Sequence, residues 1–595
     1  MNAIVEKVLA RRGYETSAKV EEFLHPNYDD GLHDPFLLPD MTAAVERISR
    51  AIAQGERILI YGDYDVDGMT ATVLLGEALA MFGAEQVETY TPDRFAEGYG
   101  LNMDAIEKIS EMNVDLIISV DCGSLSVAEV ELAGSFGMDV IITDHHSVGE
   151  VLPPAVAVVN PKRHDSKYPF GDLAGVGVVF KLVRAILTRG EVTSRVKAGQ
   201  EKWWLDLVAL GTICDIVPLT DENRVLVYWG LEVLRKVRRA GLRALLSVAQ
   251  VSPEKLDARA IGFAIGPRLN AAGRLETAEI ALRLLRADGA EEAFGLAQEL
   301  DELNYARRRT QERIFEEAVE KINSDRSSGT TLRGHLISNE LTSTDLSVEV
   351  DLIVKSNVNR NAPESSAGAP SVIVVSGAGW SHGVVGIVAS KLMEKYQRPV
   401  FVFEELPDGT SKGSARSFGD FSIAAAIDAA RDLIQRGGGH AAAGGVTMAT
   451  KNLAKFRVAV NRFYNSLALE NQAEVLEPTA DVEIDDFKNV TAELVKELAL
   501  LEPFGMGNEQ PILAAKKLQI IGKKTLGAEN QHVKFRFKDA GGKVIEMIKF
   551  GAADELKNFI ASDKLYKVLF TPSLNEWNGR TSVEGRLISC DTIES

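Results

Sequence analysis

Short apolar runs alternate with longer amphipathic stretches through the first third of this chain. The clearest apolar runs occupy residues 58–60, 116–118 and 140–142, and each is followed by a turn and then by helical spacing. A repeated order of strand, turn and helix is typical of an α/β domain with a mainly parallel sheet. We therefore predict such a domain between residues 57 and 218, after a helical lead-in that ends near residue 55.

The rest of the chain divides into parts with different patterns. Residues 225–322 have mostly helical spacing, with many charges from residue 290 onward, which predicts a rigid helical connector. Residues 323–370 are rich in Ser, Asn, Thr and Gly, as in a partly disordered segment. Strands and helices alternate again from residue 371, and residues after 474 alternate in places as β-strands do. An OB-like barrel, a fold that binds single strands, fits this last part.

Three aspartates stand two residues apart at the end of the first apolar run. Asp63, Asp65 and Asp67 belong to the sequence Gly-Asp-Tyr-Asp-Val-Asp-Gly at residues 62–68. In an extended segment residues two apart point the same way, so their charges would be crowded unless a cation lay among them. A lone aspartate at a strand end is usually a helix N-cap, but capping uses only one carboxylate. The motif therefore indicates a metal site.

Three further segments place Asp or His at the ends of apolar runs. They contain Asp121, the sequence Asp144-His145-His146, and Asp215. The strand ends of an open parallel sheet meet along one edge, where ligands bind, so we expect these side chains to converge. Mixed carboxylate and imidazole ligands suit Mn²⁺, Zn²⁺ or Fe²⁺ better than Mg²⁺.

Composition indicates a cytoplasmic protein of several domains. The chain has 595 residues, of which 45% are hydrophobic. We expect no signal peptide, because the first residues lack a basic region followed by an apolar core, and no membrane span, because no run of about 18 apolar residues occurs. Three widely spaced cysteines favour a reducing compartment. Cys122 and Cys214 flank two of the aspartates, and we interpret them as buried apolar residues rather than ligands.

The formal net charge of −19 argues against binding of duplex DNA over a broad surface. Part of this charge belongs to the predicted metal site, where two divalent cations would largely neutralise it. A local groove with basic and aromatic residues is enough to bind one strand. The net charge is therefore compatible with a single-stranded substrate.

Taken in order, these motifs resemble those of a known enzyme family. Residues 62–68, 120–123, 144–146 and 211–219 are similar to the four motifs of the DHH phosphoesterase superfamily, and Gly-Gly-Gly-His at 437–440 resembles the signature of the DHH-associated domain. The stretches 266–274 and 503–508 narrow the resemblance to the single-strand-specific 5′→3′ DNA exonucleases of that superfamily. The resemblance covers nearly the whole chain, and five motifs in fixed order are specific.

The resemblance implies an α/β architecture with four folded parts. With the patterns above, it predicts an N-terminal lead-in and parallel-sheet DHH domain at residues 1–250 and a helical connector at 251–322. It then predicts an insertion at 323–370, an α/β DHH-associated domain at 371–470 and a C-terminal OB-like β-barrel at 471–595.

The resemblance also implies roles for individual residues. The implied ligands of two divalent ions, Mn²⁺ or Mg²⁺, are Asp63, Asp65, Asp67, Asp121, His145 and Asp215. Asp121 would bridge the two ions, and the implied catalytic residues are Asp121, His146 and Arg274. His146 would contact the substrate phosphate, while Asp144 would orient an imidazole or its loop.

Substrate contacts are implied for residues spread over the chain, namely Arg94, Arg268, Asn270, Arg274, Ser414, Arg416 and His440. A dianionic 5′-phosphate suits fork-like Arg donors, and Arg94, Ser414 and Arg416 match the positions assigned to that contact. His382 resembles a further family position, whereas Phe504 either packs structurally or stacks on a base.

The expected function is that of a cytoplasmic, monomeric, metal-dependent exonuclease in DNA repair and recombination. It would hydrolyse single-stranded DNA 5′→3′ to 5′-mononucleotides, with two ions acting on the phosphodiester from two sides. Expected partners are single-stranded DNA, a helicase and a single-strand-binding protein, and no membrane. Two alternatives stay open: an oligoribonucleotide or cyclic-dinucleotide phosphodiesterase of the same superfamily, and a replication scaffold that has lost its metals.

Overall fold

The computed structural model describes residues 1–94, 97–189, 196–327, 371–467, 469, 478–527, 530–551, 564–577 and 579–593. These residues form two compact units, one of Met1–Asp301 with Pro478–Ser595 and the other of Glu302–Glu477. The predicted insertion lies outside the described residues from residue 328 onward. Among the described helices, none has the length and apolar character needed to cross a bilayer.

A five-stranded parallel sheet forms the centre of the N-terminal part. Its spatial order is β2-β1-β3-β4-β5, with β1 at Ile58–Gly62, β2 at Val87–Tyr90, β3 at Leu116–Val120, β4 at Asp139–Thr143 and β5 at Ala157–Val159. Every residue of β1 and β3 is buried, as expected for parallel strands covered on both faces. The predicted parallel sheet is confirmed.

Fourteen described helices lie before, between and after these strands and continue into the connector. They are α1 (Ala3–Arg11), α2 (Ser17–Leu24), α3 (Met41–Gln54), α4 (Val66–Phe82), α5 (Met103–Ser110), α6 (Val127–Ser135), α7 (Gly175–Arg189), α8 (Leu205–Cys214), α9 (Asp221–Leu234), α10 (Ala240–Val248), α11 (Ala258–Ala260), α12 (Gly266–Leu275), α13 (Glu279–Arg286) and α14 (Ala290–Ser327). Helix α4 is apolar almost all round because it packs against β1, α7 and α8. The charged spacing after residue 290 belongs to α14, one continuous helix of 38 residues.

The second unit is built on a mixed five-stranded sheet of order β6-β7-β8-β10-β9. Its strands are β6 (Ile373–Ala378), β7 (Val400–Glu405), β8 (Thr410–Arg416), β9 (Arg436–Gly439) and β10 (Ala443–Ala449), and its helices are α15 (His382–Tyr396), α16 (Ile423–Ala429) and α17 (Leu453–Ser466). Strands β6 and β7 are parallel, and the other pairs are antiparallel. This is the α/β domain predicted after residue 371.

The C-terminal part is a β-barrel with one helix. Its elements are β11 (Val482–Ile484), α18 (Ala492–Ala499), β12 (Leu513–Leu526), β13 (His532–Lys538), β14 (Val544–Lys549), β15 (Leu565–Trp577) and β16 (Arg580–Ile593). Strand β12 pairs with both β13 and β15, so the ring β12-β13-β14-β16-β15 closes on itself. The predicted OB-like barrel is confirmed.

The first helix of the chain contributes to the core of this barrel. Val5, Val8 and Leu9 of α1 are at most 1% exposed and belong to one apolar cluster with residues of β12–β16. Amphipathic spacing reveals that a helix buries one face, but not which distant segment covers it. For this reason our prediction from the sequence placed α1 in the lead-in of the DHH domain, at residues 1–250.

We expect Leu9→Ala to loosen the C-terminal barrel, because truncating a buried leucine costs about 2–5 kcal/mol. Hydrogen exchange measured by mass spectrometry should become faster in peptides of β12 and β15. The matched control is Lys7→Ala, an exposed position on the same helix. Unchanged exchange in β12 and β15 would contradict the packing of α1 into the barrel.

Candidate metal centre

Three neighbouring strands end side by side at one edge of the parallel sheet. Gly62 at the end of β1 pairs with Val120 of β3, which pairs with Thr143 of β4. The next residues in the chain are Asp63, Asp121 and Asp144, so the sheet register itself brings three carboxylates together. All three are buried.

The motif at residues 62–68, which we call the metal loop, is not extended throughout. Asp65 is the N-cap of α4, and its Oδ1 accepts hydrogen bonds from the N–H groups of Asp67 at 2.9 Å and Gly68 at 3.1 Å. Asp67 lies in the first turn of α4. The expectation that the three aspartates share one face of an extended segment is therefore wrong, because capping by Asp65 turns the chain into a helix. They still converge, by a different geometry.

The converging side chains form three overlapping groups that could hold a metal ion. Within each group the ligand atoms lie within 4.8 Å of one another, and the groups are Asp63, Asp65 and Asp121; Asp67, His145 and Asp215; and Asp121, His145 and His146. His145 Nε2 is 3.1 Å from Asp121 Oδ1, 3.6 Å from Asp215 Oδ2 and 3.9 Å from Asp67 Oδ2. All six predicted ligands belong to these groups, and among the described residues none of the groups includes a cysteine.

Buried polar atoms in these groups have no hydrogen-bond partner among the described residues. They include Oδ1 of Asp63, together with Oδ1 of Asp121 and Nε2 of His145, which lie 3.1 Å apart without the geometry of a hydrogen bond. A buried polar atom without a partner is costly, whereas a divalent cation would coordinate each of these atoms. Carboxylate oxygens and imidazole nitrogens are donors that Mn²⁺ accepts, so the residues present fit the implied ions.

Electrostatics in the cluster are those expected of crowded, buried carboxylates. Burial, and then the charges of neighbouring aspartates, raise the pKa of Asp63, Asp67 and Asp121 above the usual range of a carboxyl group. Burial lowers the pKa of His145 to about 3, which leaves its imidazole neutral and able to ligate. The cluster thus lacks positive charge at its centre.

His146 is held differently from its neighbour. Asp144 Oδ1 lies 2.8 Å from His146 Nδ1, while Asp144 also accepts hydrogen bonds from the N–H groups of His145 at 2.7 Å and Ser124 at 2.9 Å. Burial disfavours the charged imidazole of His146, but the hydrogen bond and charge of Asp144 outweigh it and raise the pKa to about 9. His146 is therefore a cation at neutral pH.

Tyr99 is a residue at this centre that the sequence did not single out. Its hydroxyl lies 3.0 Å from His146 Nδ1 and 3.2 Å from the carbonyl oxygen of Asp121, while the residue as a whole is 51% exposed. The sequence offered one indication of this role, because Tyr99 lies only five residues after the predicted substrate residue Arg94. An exposed tyrosine that directs its hydroxyl into a buried cluster can contact both the cluster and a bound molecule.

Helix α12 packs against the metal loop and carries two of the predicted substrate residues to it. Asn270 Oδ1 accepts a hydrogen bond from Val66 N–H at 3.1 Å, and a methyl group on Gly273 would lie 2.6 Å from Tyr64 O. Arg274 follows that glycine and so stands beside the metal loop. Asn270 thus holds the start of α4 rather than presenting its carbonyl oxygen to solvent.

The other two arginines predicted in this part of the chain are placed differently. Arg94 lies over the ring of Tyr64, with its guanidinium carbon 4.5 Å from the ring centroid, and so stays next to the metal loop. Arg268 instead donates hydrogen bonds to Asp301 Oδ1 at 2.8 Å and to Ala264 O at 2.6 Å. The contact with Asp301 holds α12 to α14.

The remaining predicted substrate residues belong to the second unit. Ser414 and Arg416 lie two residues apart on β8 and so on one face of the strand, where both approach the position of a methyl group on Gly386 within 3.5 Å. His440 follows β9, and its N–H donates to Ala443 O, opposite Arg416. The preceding glycines belong to β9 and pair with β10 as an edge strand.

Glycines let helices approach the aspartates closely. A methyl group on Gly175 would lie 2.5 Å from Asp121 Oδ1, and one on Gly211 would lie 2.7 Å from Asp67 Oδ1. Asp67 also accepts hydrogen bonds from two N–H groups at the start of α7, at 2.6 Å and 2.8 Å. Sequence analysis missed Gly175, since a single glycine in a helical stretch shows no sign of what it faces.

Asp215, the last predicted ligand, follows helix α8, so the expectation that it lies at the end of a strand is wrong. It still joins the group of Asp67 and His145, and its N–H donates to Gly211 O at 2.9 Å. The next residue, Ile216, has φ of 63° and is 65% exposed. A left-handed backbone costs an ordinary residue about 1–2 kcal/mol, and a β-branched residue is a genuine outlier there. The surrounding structure must therefore hold this turn.

Comparison with known proteins identifies the family. The chain matches the DHH family, N-terminal domain, at residues 57–212, the DHHA1 domain at 369–466 and the RecJ OB domain at 480–589. A relative from Dickeya dadantii, named single-stranded-DNA-specific exonuclease RecJ, is 32% identical over 98% of this chain and 95% of its own length. The chain belongs to the RecJ family. The relative of the same name from Bacillus subtilis is 36% identical over 97% of this chain, which spans 66% of that relative.

Solved RecJ structures share this fold. RecJ from Thermus thermophilus in complex with Mn²⁺ has a TM-score of 0.77 and 29% sequence identity, covering 99% of this chain and 76% of its own. The same protein has also been solved in complex with Mg²⁺, with a TM-score of 0.73. The predicted family and fold class are therefore confirmed.

We expect Gly175→Ala to weaken metal binding, because the added methyl group displaces Asp121 from its position. Changes beside a metal ligand cost about 10–100-fold in affinity, and we expect at least the lower figure for Mn²⁺ measured by isothermal titration calorimetry. Gly177→Ala is the matched control on the same helix, since its methyl would meet Leu173 at an ordinary 3.4 Å. Equal Mn²⁺ affinity of the two variants would contradict the close approach described here.

Proposed function

We propose that this chain is a metal-dependent exonuclease that hydrolyses single-stranded DNA 5′→3′ and releases 5′-mononucleotides in DNA repair and recombination. The observation that carries the proposal is the convergence of the three ligand groups around Asp121, with buried atoms that lack partners among the described residues. Membership of the RecJ family over nearly the whole chain supports the substrate class. The alternative of a small-molecule phosphodiesterase is not favoured, since the C-terminal barrel matches the RecJ OB domain.

We assign the metal ligands from the groups that the structure brings together. Asp63 and Asp65 would hold one Mn²⁺ or Mg²⁺, the group of Asp67, His145 and Asp215 would hold a second, and Asp121 would contact both. When bound, such a pair of ions supplies an activated water and stabilises the charge that develops on the leaving oxygen.

The cationic His146 is proposed to contact the scissile phosphate. Asp144 fixes its Nδ1, which leaves the opposite ring nitrogen to donate a hydrogen bond toward a phosphate oxygen. Arg274, beside the metal loop, would add a second cation on the same phosphate. Both residues would lower the energy of a transition state in which negative charge builds up on oxygen.

Recognition of the chain end is proposed to use cations that can form two parallel hydrogen bonds. In the second unit, Ser414 and Arg416 on β8 would bind a terminal 5′-phosphate, and His440 would contact a nucleotide. In the first unit, Arg94 on Tyr64 would contact a substrate phosphate. A terminal phosphate carries more charge than an internal one. Its binding would therefore give the enzyme its polarity without base readout.

The barrel is proposed to guide the incoming single strand. Strands β12 and β13 carry exposed Lys523, Lys524 and Arg536, and the ring of Phe550, 55% exposed, lies 5.1 Å from that of His532. Basic and aromatic side chains together bind single strands with little sequence preference. Such a local surface would let a chain of net charge −19 bind a single strand.

We further propose that the protein acts as a cytoplasmic monomer, with a helicase that supplies single strands and a single-strand-binding protein as partners. An exonuclease specific for single strands requires separated DNA strands, so a helicase fits the expected role in repair.

Asp121→Ala should abolish hydrolysis while single-strand binding stays measurable, because the substitution removes the carboxylate common to two ligand groups. The assay uses single strands labelled at either end, with Mn²⁺ and with chelator, and follows mononucleotide release. We expect release from the 5′ end only, and none with chelator. Normal cleavage by the variant would refute the role of Asp121, and cleavage from the 3′ end would refute the polarity.

Arg416→Ala should reduce the preference for a 5′-phosphate over a 5′-hydroxyl end. A hydrogen bond to a charged group contributes about 1.5–3 kcal/mol, so the ratio of kcat/KM values for the two substrates should fall at least about ten-fold. Arg462→Ala, an exposed arginine of the same unit, is the control. An unchanged ratio would count against Arg416 as a phosphate contact.

A further inference from the structure

The segment Pro503–Asn508 of the C-terminal part forms a closed loop, which we call the barrel loop. Gly505 and Asn508 exchange backbone hydrogen bonds of 3.0 Å and 3.1 Å. The side chain of Asn508, 2% exposed, donates to Leu501 O at 2.9 Å and Pro503 O at 2.8 Å. Phe504 packs against the barrel core, so its role within the described residues is structural.

The barrel loop touches the chain just after the metal ligand Asp215. Leu219 N–H donates to Met506 O at 2.7 Å. A methyl group on Gly505 would lie 2.7 Å from Leu219 Cδ1, and one on Gly507 would lie 3.2 Å from Pro218 Cβ. Gly507 also has φ of 70°, a conformation that favours glycine, while a methyl group on Gly505 would displace the buried side chain of Leu219.

A buried arginine fastens the same region from the other side. Arg224, 3% exposed in the first turn of α9, donates to Leu501 O at 3.0 Å, Glu502 O at 2.9 Å and Phe23 O at 3.0 Å. Its guanidinium lies 3.7 Å from the centroid of the Phe23 ring. Three carbonyl oxygens and an aromatic face therefore compensate a buried cation.

Arg12, directly after α1, completes these contacts. It donates to Asn508 Oδ1 at 2.6 Å and to Glu509 O at 2.7 Å. Asn223, fully buried, donates to Pro218 O at 3.0 Å and Asp172 O at 2.6 Å. The turn that starts at Asp215 is thus tied to α8 at its beginning and to the barrel loop and α9 at its end.

The strained residue lies between these two attachments. Ile216, with φ of 63°, is largely exposed, so its own burial does not hold it in the left-handed region. Releasing residues 218–219 would let the turn relax to an ordinary backbone conformation. Such a relaxation would rotate Asp215 away from His145 and Asp67.

We propose that the barrel loop is a positioning element for Asp215. It acts through Leu219 and holds the metal ligand in the orientation that the group of Asp67, His145 and Asp215 requires. The inference rests on the proposed two-metal function and adds that the C-terminal barrel supports the geometry of one ion. The ion assigned to Asp63 and Asp65 does not depend on the barrel loop.

The test measures Mn²⁺ alone, with no DNA and no turnover, by electron paramagnetic resonance of free Mn²⁺ in titrations of the full chain. Gly505→Ala should weaken one of two binding events about ten-fold and leave the other within about two-fold. Adding Leu219→Ala should restore the weakened site, because it removes the side chain that the new methyl displaces. Gly522→Ala, whose methyl would meet Arg536 at an ordinary 3.5 Å, should bind as the wild type does.

The outcomes separate this inference from the function on which it rests. A wild-type chain that binds no Mn²⁺ contradicts the proposed function. A wild-type chain that binds two ions, with both affinities unchanged in Gly505→Ala or both weakened alike, overturns the role of the barrel loop. Thermal melting is recorded for each variant. If Gly505→Ala does not fold, Asn508→Ala, which opens the same loop from within, is titrated instead with the same expected result.

Discussion

Repulsion among buried carboxylates is the constraint on which the rest of this structure depends. Asp63, Asp67 and Asp121 are each at most 3% exposed, and their charges lie within a few ångströms of His145 and Asp215. Such a cluster is stable only if each oxygen has either a fixed hydrogen-bond donor or a cation. Backbone N–H groups donate hydrogen bonds to some of these carboxylate oxygens, and the oxygens without a donor would be coordinated by metal ions.

The donors come from helix N-termini packed against the sheet edge. Asp65 caps α4, and Asp67 accepts hydrogen bonds from the first N–H groups of α7, where the helix dipole favours negative charge. These helices can come so close because Gly175 and Gly211 have no side chain to collide with the aspartates. The same geometry makes the centre intolerant of small changes, since a single methyl group would move a ligand.

The catalytic sheet and the barrel are parts of one unit for a related reason. The turn after Asp215 is strained and exposed, so it needs support from residues distant in the chain. Arg224 and the barrel loop contact the end of this segment through hydrogen bonds, while α1 packs into the core of the barrel. A domain that is expected to bind the substrate strand is therefore also in contact with a ligand segment of the metal centre.

The sequence by itself determined the classes of structure and most of the chemistry. Apolar periodicity predicted the parallel sheet, the helices after it and the barrel, because burial of apolar side chains follows local spacing. Asp and His residues at the ends of apolar runs predicted a cluster at one edge of the sheet, because parallel strands end there. The prediction was right for Asp63, Asp121 and Asp144, whereas Asp215 follows a helix. Only the tertiary structure decided which aspartates share a group, that Asp65 starts a helix, and that Asn270 and Arg268 bond to the protein. The tertiary structure also placed Tyr99 and Gly175 beside the aspartates and α1 in the barrel core. Such contacts depend on which distant segments meet, and the local spacing of apolar residues carries no information about those meetings.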